Sequence, residues 1–361
     1  MTGVRTFELD DISVEAVIEA KAGRTVSVCI PCRDEAATIG PLVSVIRAEL
    51  ITRFGVVDEL IVLDDRSTDD TARVASHAGA RVVSIEDLHA VHGAGHGKGN
   101  ALWATLLVSQ GDFVVWCDGD VTSFEPDWVL KLVAPLLADD SVGLVKALYH
   151  RPTKYGGGGR TTELVARPLM SRYFPNLTGL AQPLSGEFAG RRSVLESIPF
   201  VEGWGVEIGM LIDIAARYGP EAIGQVDLGS RLHRHRELAS LSVQAAEVMA
   251  TALDRAGVGI IGDPDEQVLQ RADGSAVPLN LAVRPSLVDL GLARSVAVVG
   301  ATSVAAAEAT LPSVSSAPAR ARPRTSEVTR RGTMFLRGVD CSRKLGEVWG
   351  PHSERVYGYS T

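Results

Sequence analysis

Three short apolar runs, each stopping at a proline or a pair of acids, constrain this chain more than any other feature. Val26 to Ile30 closes on Pro31, Leu60 to Leu63 on Asp64-Asp65, and Phe113 to Cys117 on Asp118-Gly119-Asp120. Runs this short and this uniformly apolar suit strands buried on both faces, as in a parallel sheet. Between them, Ile39, Leu42, Val43 and Ile46 recur at helical spacing, and Gly99 to Ser109 reads as another helix. Ala80 to Ser84 and Val142 to Leu148 supply further strands. Alternating strands and helices predict an α/β fold, a Rossmann-like and mainly parallel sheet flanked by helices. Ligands of such sheets bind beyond the carboxyl ends of the strands, which puts Pro31 to Glu35, Asp64-Asp65 and Asp118 to Asp120 along one edge.

Asp-x-Asp behind a strand offers hard oxygen ligands, suited to Mg²⁺ or Mn²⁺ shared with substrate phosphates. The small Gly119 between them lets the backbone turn sharply. Alone the pattern is weak, because strand ends carry Asp simply to solvate a turn; the other polar strand ends raise it.

A net charge of -8 disfavours a general nucleic-acid binder. Four cysteines in 361 residues make no disulfide framework, so a reducing, cytoplasmic setting is expected. Cys29 and Cys32 form a C-x-x-C pair, but Cys29 falls inside a strand and no second pair completes a zinc site. The opening MTGVRTFELDD lacks the basic-then-apolar pattern of a signal peptide, and Asp289 and Arg294 interrupt the apolar stretch from Leu287 to Val304. No membrane span is expected.

Residues 1–23 read as a helical lead-in with Val14, Val17 and Ile18 on one face. Beyond residue 150 the alternation loosens. A helix is expected from near Glu163, another over Val206 to Ala216, a strand over Gln225 to Leu228 and an amphipathic helix over Leu238 to Leu253. Residues 1–150 thus form one half, 151–290 a second with C-terminal helices, and 291–361 a tail that turns to Ser, Ala, Pro and Arg and reads as disordered.

Several polar groups bear on chemistry, each with a plainer alternative. Asp34-Glu35 and Asp64-Asp65 can grip a base or ribose, or merely solvate helix starts. Gly93-Ala94-Gly95-His96-Gly97-Lys98-Gly99 resembles a phosphate cradle, although neither P-loop nor dinucleotide spacing is met. Lys98 at a helix entrance can neutralise a diphosphate. His89, His92 and His96 read as a polar loop. Arg231 to Arg236 concentrates cations in an acidic chain, and Gly159, Arg160 and Thr162 combine backbone amides, a guanidinium and a hydroxyl at a helix start, a second anion site. Glu187 and Glu207 are candidate ligands of a base or of sugar hydroxyls.

Taken in order, IPCRDE (30–35), LDDRSTDDT (63–71), GKGNALW (97–103), DGD (118–120), GGGGRTTELVARPL (156–169), QPLSGE (182–187), GWGVEIG (203–209) and DLGSRLHRHR (227–236) resemble the glucosyl-3-phosphoglycerate synthases, retaining glycosyltransferases of the GT-A fold. The resemblance spans roughly residues 25–255. It implies UDP-glucose as donor, D-3-phosphoglycerate as acceptor, Mg²⁺ or a similar divalent ion, and a homodimer. It implies that Pro31, Arg33, Asp34, Glu35, Asp64, Asp65 and Lys98 hold the uridine nucleotide, and that Asp120 and His233 bind the metal with Asp118 nearby. Leu184, Glu207 and Arg231 would surround the sugar; Gly159, Arg160 and Thr162, aided by Arg236, would seat the acceptor. Residues 1–150 then become the nucleotide-sugar half and 151–290 the acceptor half. Asp120, Lys98 and Glu207 are the candidate catalytic residues, Glu207 as nucleophile or base. Competing readings are a mannosyl-3-phosphoglycerate synthase, an inverting transferase acting on polyprenyl phosphate, an NDP-sugar nucleotidyltransferase and a silent nucleotide-sugar sensor.

Overall fold

The structure is a computed structural model and describes residues 3–9, 12–150, 159–231, 238–259 and 267–294. The first half contains β1 (Arg5–Phe7), α1 (Val14–Lys21), β2 (Val26–Cys32), α2 (Ala36–Val45), β3 (Glu59–Asp64), α3 (Thr71–Ala78), β4 (Arg81–Ser84) and α4 (Ile85–His92). It continues with α5 (Lys98–Val108), β5 (Phe113–Trp116), α6 (Asp127–Ala138) and β6 (Leu144–His150). Then follow α7 (Arg167–Tyr173), β7 (Phe188–Arg191), α8 (Arg192–Leu195), β8 (Phe200–Val201), α9 (Val206–Tyr218), β9 (Ile223–Ser230) and α10 (Leu238–Arg255). Three short strands close the described chain: β10 (Val268–Gln270), β11 (Ala276–Pro278) and β12 (Val283–Arg284).

Eight strands form one sheet in the order β1-β9-β6-β7-β5-β2-β3-β4. β5, β2, β3 and β4 run parallel, as do β6, β9 and β1, while β7 runs against both its neighbours. Strands from both sides of residue 150 therefore share the sheet, and all described residues belong to one compact unit, 1–302. Every residue of β2 except Pro31 is buried, and its side chains alternate between two apolar layers. Val28 and Ile30 pack with Ile39, Leu42, Val43 and Ile46 on one face; Cys29 packs with Trp103 of α5 and Ile208 of α9 on the other. Covering on both faces explains why the strand reads as a continuous apolar run.

The reversed β7 matters most for the site. An antiparallel strand enters the sheet at the edge where its parallel neighbours leave it. Glu187, just ahead of Phe188, therefore lies at the carboxyl end of β5 and beside the middle of β6, with Phe188 paired to both Trp116 and Lys146. The sequence reading had no strand here, because Gly190 and Arg191 interrupt any apolar pattern in Phe188–Arg191.

Other departures are local. The lead-in contains strand β1, too short to show a period, and Ile18 is 42% exposed whereas Val17 is buried. His89 and His92 stand on helix α4, which Ser84 caps by accepting from the Glu86 N–H (3.3 Å), so they are not in a loop. No helix among the described residues is long and apolar enough to cross a membrane. Residues 295–361, most of the expected tail, lie outside the described residues.

Candidate active site

The carboxyl ends of the strands open on a cleft of about 540 Å³ lined, among others, by Pro31, Arg33, Glu35, Asp65, Lys98, Asp118, Asp120, Gly159, Arg160, Thr162, Leu184, Glu207 and Arg231. At one end, the loops after β2 and β3 are clipped to each other. Asp34, in the left-handed region at φ 57°, accepts from the Thr68 N–H (2.7 Å) and hydroxyl (3.1 Å). Thr71 accepts from the Glu35 N–H (2.7 Å), and Asp69 accepts from the Ala36 N–H (3.1 Å). The Thr68 backbone N–H leads the causes that hold the Asp34 carboxyl below its ordinary range. Asp34 is thus a loop clip beside the cleft wall. Asp65 is buried and bonded to Arg66 Nε (2.8 Å). Asp64, at the end of β3, has a buried Oδ1 without a hydrogen bond among the described residues.

The centre of the cleft is a chain of charges. Asp118 Oδ1 meets Lys98 Nζ at 2.9 Å and its Oδ2 meets Arg231 Nη2 at 2.8 Å. Lys98 also pairs with Glu207 Oε1 at 2.8 Å, and Arg231 with Glu187 Oε1 at 2.8 Å. Asp120 Oδ1 stands farther from Arg231, at 3.7 Å. Glu207 sits in the first turn of α9, where the helix dipole favours an anion. Burial opposes the charge on Lys98, but Asp118 and Glu207 outweigh it and raise its pKa. Arg231 is likewise raised, since Glu187, Tyr149 and the two aspartates overcome its desolvation. Burial pushes Glu187 upward against the pull of Arg231, and its Oε2 is buried without a hydrogen bond among the described residues.

Two glycines permit this crowding. A Cβ on Gly119 would sit 2.6 Å from Cys32 Sγ, and one on Gly186 would collide with the Asp118 carboxylate. Gly119 is required for close approach rather than for a positive φ. Beneath the cleft lies Lys146 of β6, whose Nζ donates to Ser185 O (2.5 Å) 4.2 Å above the Phe188 ring. Burial lowers its pKa to about 7 despite Glu207, Glu187 and Asp118 nearby.

At the other end, Gly159 adopts φ 77° and opens a helical run over 160–173 that is π-helical over Thr162–Ala166. Arg160 and the buried Thr162 face the cleft there, joined by Leu241 and Gln244 of α10. His233 and Arg236, expected at the metal and the acceptor, lie outside the described residues. Among those described, no group of three or more His, Cys, Asp or Glu side chains is placed to hold a metal ion. An ion here would therefore draw on Asp120 and on donors beyond the described side chains. Asp120 fits that part as a hard oxygen donor lining the cleft, whereas both oxygens of Asp118 are taken by cations of the chain. Tyr149, Trp204, Leu241 and Gln244 also line the cleft, Lys146 is buried close to its charged centre, and all five escaped the sequence reading. Lys146 alone left a signal: a lysine inside a buried strand.

The family model of glycosyl transferase family 2 matches residues 27–198. The glucosyl-3-phosphoglycerate synthase of Mycolicibacterium paratuberculosis is 47% identical over 298 residues, 78% of this chain and 90% of its own length. This chain belongs to the glucosyl-3-phosphoglycerate synthase family. Its relative from Petrotoga mobilis is 41% identical over 254 residues, 69% of this chain and 78% of that one. Crystal structures of the Mycobacterium tuberculosis synthase agree with the fold. That with phosphoglyceric acid superposes at TM-score 0.73 and 42% identity, covering 80% of this chain and 99% of that one. That with Mn²⁺, UDP-glucose and phosphoglyceric acid does so at TM-score 0.71 and 43% identity, with the same coverage. Family membership makes the chain a hexosyltransferase on the expected mixed, mainly parallel sheet.

Proposed function

We propose that this chain transfers glucose from UDP-glucose to D-3-phosphoglycerate with retention at the anomeric carbon. The observation that carries the reading is one cleft holding both an Asp120–Asp118–Lys98 edge and the helix start at Gly159, Arg160 and Thr162. Crystal structures of the M. tuberculosis relative with Mn²⁺ and UDP-glucose, with Mg²⁺ and UDP, and with phosphoglyceric acid support it.

Asp120 and His233 would hold Mg²⁺ or Mn²⁺, which supplies positive charge against the donor's diphosphate. Pro31, Arg33, Glu35, Asp64 and Asp65 form the uridine end, with Asp34 securing its loops. Lys98 neutralises charge developing on the departing UDP, the largest electrostatic demand of the reaction. Leu184, Glu207 and Arg231 surround the sugar. Arg160, Thr162 and the Gly159 backbone, with Arg236, clamp the acceptor phosphate and hold its hydroxyl against the anomeric carbon. The leaving phosphate accepts the proton on the same face, so Glu207 serves by holding Lys98. The chain acts in the cytoplasm as a homodimer.

A donor-by-acceptor panel with products identified by NMR tests this. Glucosyl-3-phosphoglycerate and UDP are expected from UDP-glucose. A preference for GDP-mannose would reassign the donor; release of pyrophosphate would make the chain a nucleotidyltransferase; full activity in excess EDTA would remove the cation. Arg160→Ala should chiefly raise the acceptor KM.

A further inference from the structure

The glycine loop 93–99 holds an anion that belongs to the chain itself. The Glu202 carboxylate accepts from the His96 N–H (3.2 Å), and the Glu202 carbonyl accepts from the Asn100 N–H (3.1 Å). A Cβ on Gly95 would collide with Arg284 and Asn100, and one on Gly97 would sit 2.7 Å from the Glu202 carbonyl. These glycines make room for Glu202 and its partners, while Gly97 itself also lines the cleft beside Lys98.

Glu202 is paired in turn with Arg284, whose Nε lies 3.0 Å from Glu202 Oε1. The same guanidinium donates to Asn100 Oδ1 (2.8 Å), His92 O (3.1 Å) and Gly93 O (3.0 Å) and lies over the Trp103 ring. Strand β12 brings it there by pairing antiparallel to β8, with Arg284 opposite Phe200. Asn280 extends the hold: its Nδ2 donates to His96 O, and its N–H to Glu247 Oε1 (2.9 Å). The other Glu247 oxygen takes the N–H of Trp204 in the cleft wall (2.7 Å). A strap over residues 280–285 therefore grips both flanks of the loop that precedes Lys98.

We infer that Glu202 and Arg284 are positioning residues that deliver Lys98 to Asp118 and Glu207. Four glycines in seven residues give this loop large conformational freedom, which an anchor at each flank removes. Neither residue lines the cleft. Their effect passes through the loop, where a displacement of about 1 Å costs on the order of 100-fold in rate. The inference rests on the proposed role of Lys98 against the leaving UDP.

The test is a double-mutant cycle on the full chain with Mg²⁺, pairing Arg284→Met and Glu202→Gln each with Lys98→Met. Kinetics with UDP-glucose and 3-phosphoglycerate are read beside UDP affinity by calorimetry, which needs no turnover. Each strap variant should lower kcat/KM about 10- to 100-fold through kcat, with the acceptor KM little changed. In the Lys98→Met background the same substitutions should lower kcat/KM and UDP affinity less than about threefold. Undiminished losses in that background, or strap variants with wild-type kinetics, would overturn the inference. Should Arg284→Met fail to fold, Glu202→Gln, which keeps the shape and discards the charge, carries the cycle alone. A wild-type protein making no glucosylated product would instead strike the substrate reading, so the two failures are told apart.

Discussion

Carboxylates stand at strand ends in two parts of this sheet and behave in opposite ways. Beyond β2 and β3, Asp34, Asp69 and Asp70 bond to neighbouring N–H groups, hydroxyls or Arg73 at the surface, and each has its pKa lowered by those local bonds. Beyond β5 and just ahead of β7, Asp118 and Glu187 meet the cations Lys98 and Arg231 in a poorly solvated centre. The first arrangement shapes loops. The second stores charge that a diphosphate and a sugar can exploit, because water screens it little. Both sets are carboxylates; burial and a buried cationic partner decide the role.

Four perturbations sharpen or break that contrast, beginning with the largest effect. Arg231→Met should cost about 3–5 kcal/mol of stability in urea denaturation, because it leaves the buried Glu187 uncompensated and takes one of the two cations from Asp118; a loss below about 1 kcal/mol would mean that the centre is well solvated. Asp120→Ala should lower kcat by about 10²–10³ with the urea midpoint nearly unchanged. A variant retaining wild-type turnover would take that carboxylate out of the chemistry.

Lys146 gives a pH signature. Its pKa is lowered by burial to about 7 from the ordinary 10.5. The unfolded chain therefore binds more protons than the folded one between those values, so stability rises with pH across that window, and the cost of the buried charge is fully felt below about pH 7. Urea midpoints at about pH 6.5 and about pH 9.5 should climb more for the wild type than for Lys146→Met. Parallel profiles would show that the ammonium stays charged. The smallest effect belongs to the surface clip: Asp34→Asn, which tolerates the positive φ, should change the KM for UDP-glucose by about threefold or less. A tenfold rise would place this carboxylate on the nucleotide.

Much of the frame was legible along the chain. Continuous apolar runs announced β2, β3 and β5 because those strands are covered on both faces, and 3.6-residue spacing announced α2 because one of its faces meets the sheet. The clefts' glycines were visible as glycines, though the reason for Gly119, the approach of Cys32, was not. Strand β7 escaped because Phe188–Arg191 owes its place to pairing with β5 and β6 and not to its own pattern. The strap at 280–285 escaped for a like reason: a two-residue strand has no period, and Arg284 gains its meaning only from Glu202 and the glycine loop.

By itself the sequence determined where strands stop and acids begin, since alternation and burial leave periodic marks in one dimension. Tertiary structure decided which of those acids meet a lysine or an arginine, which glycines exist for close approach, and which distant residues hold Lys98 in place. Those outcomes depend on distances between segments far apart in the chain, and the reversal of one short strand sets several of them.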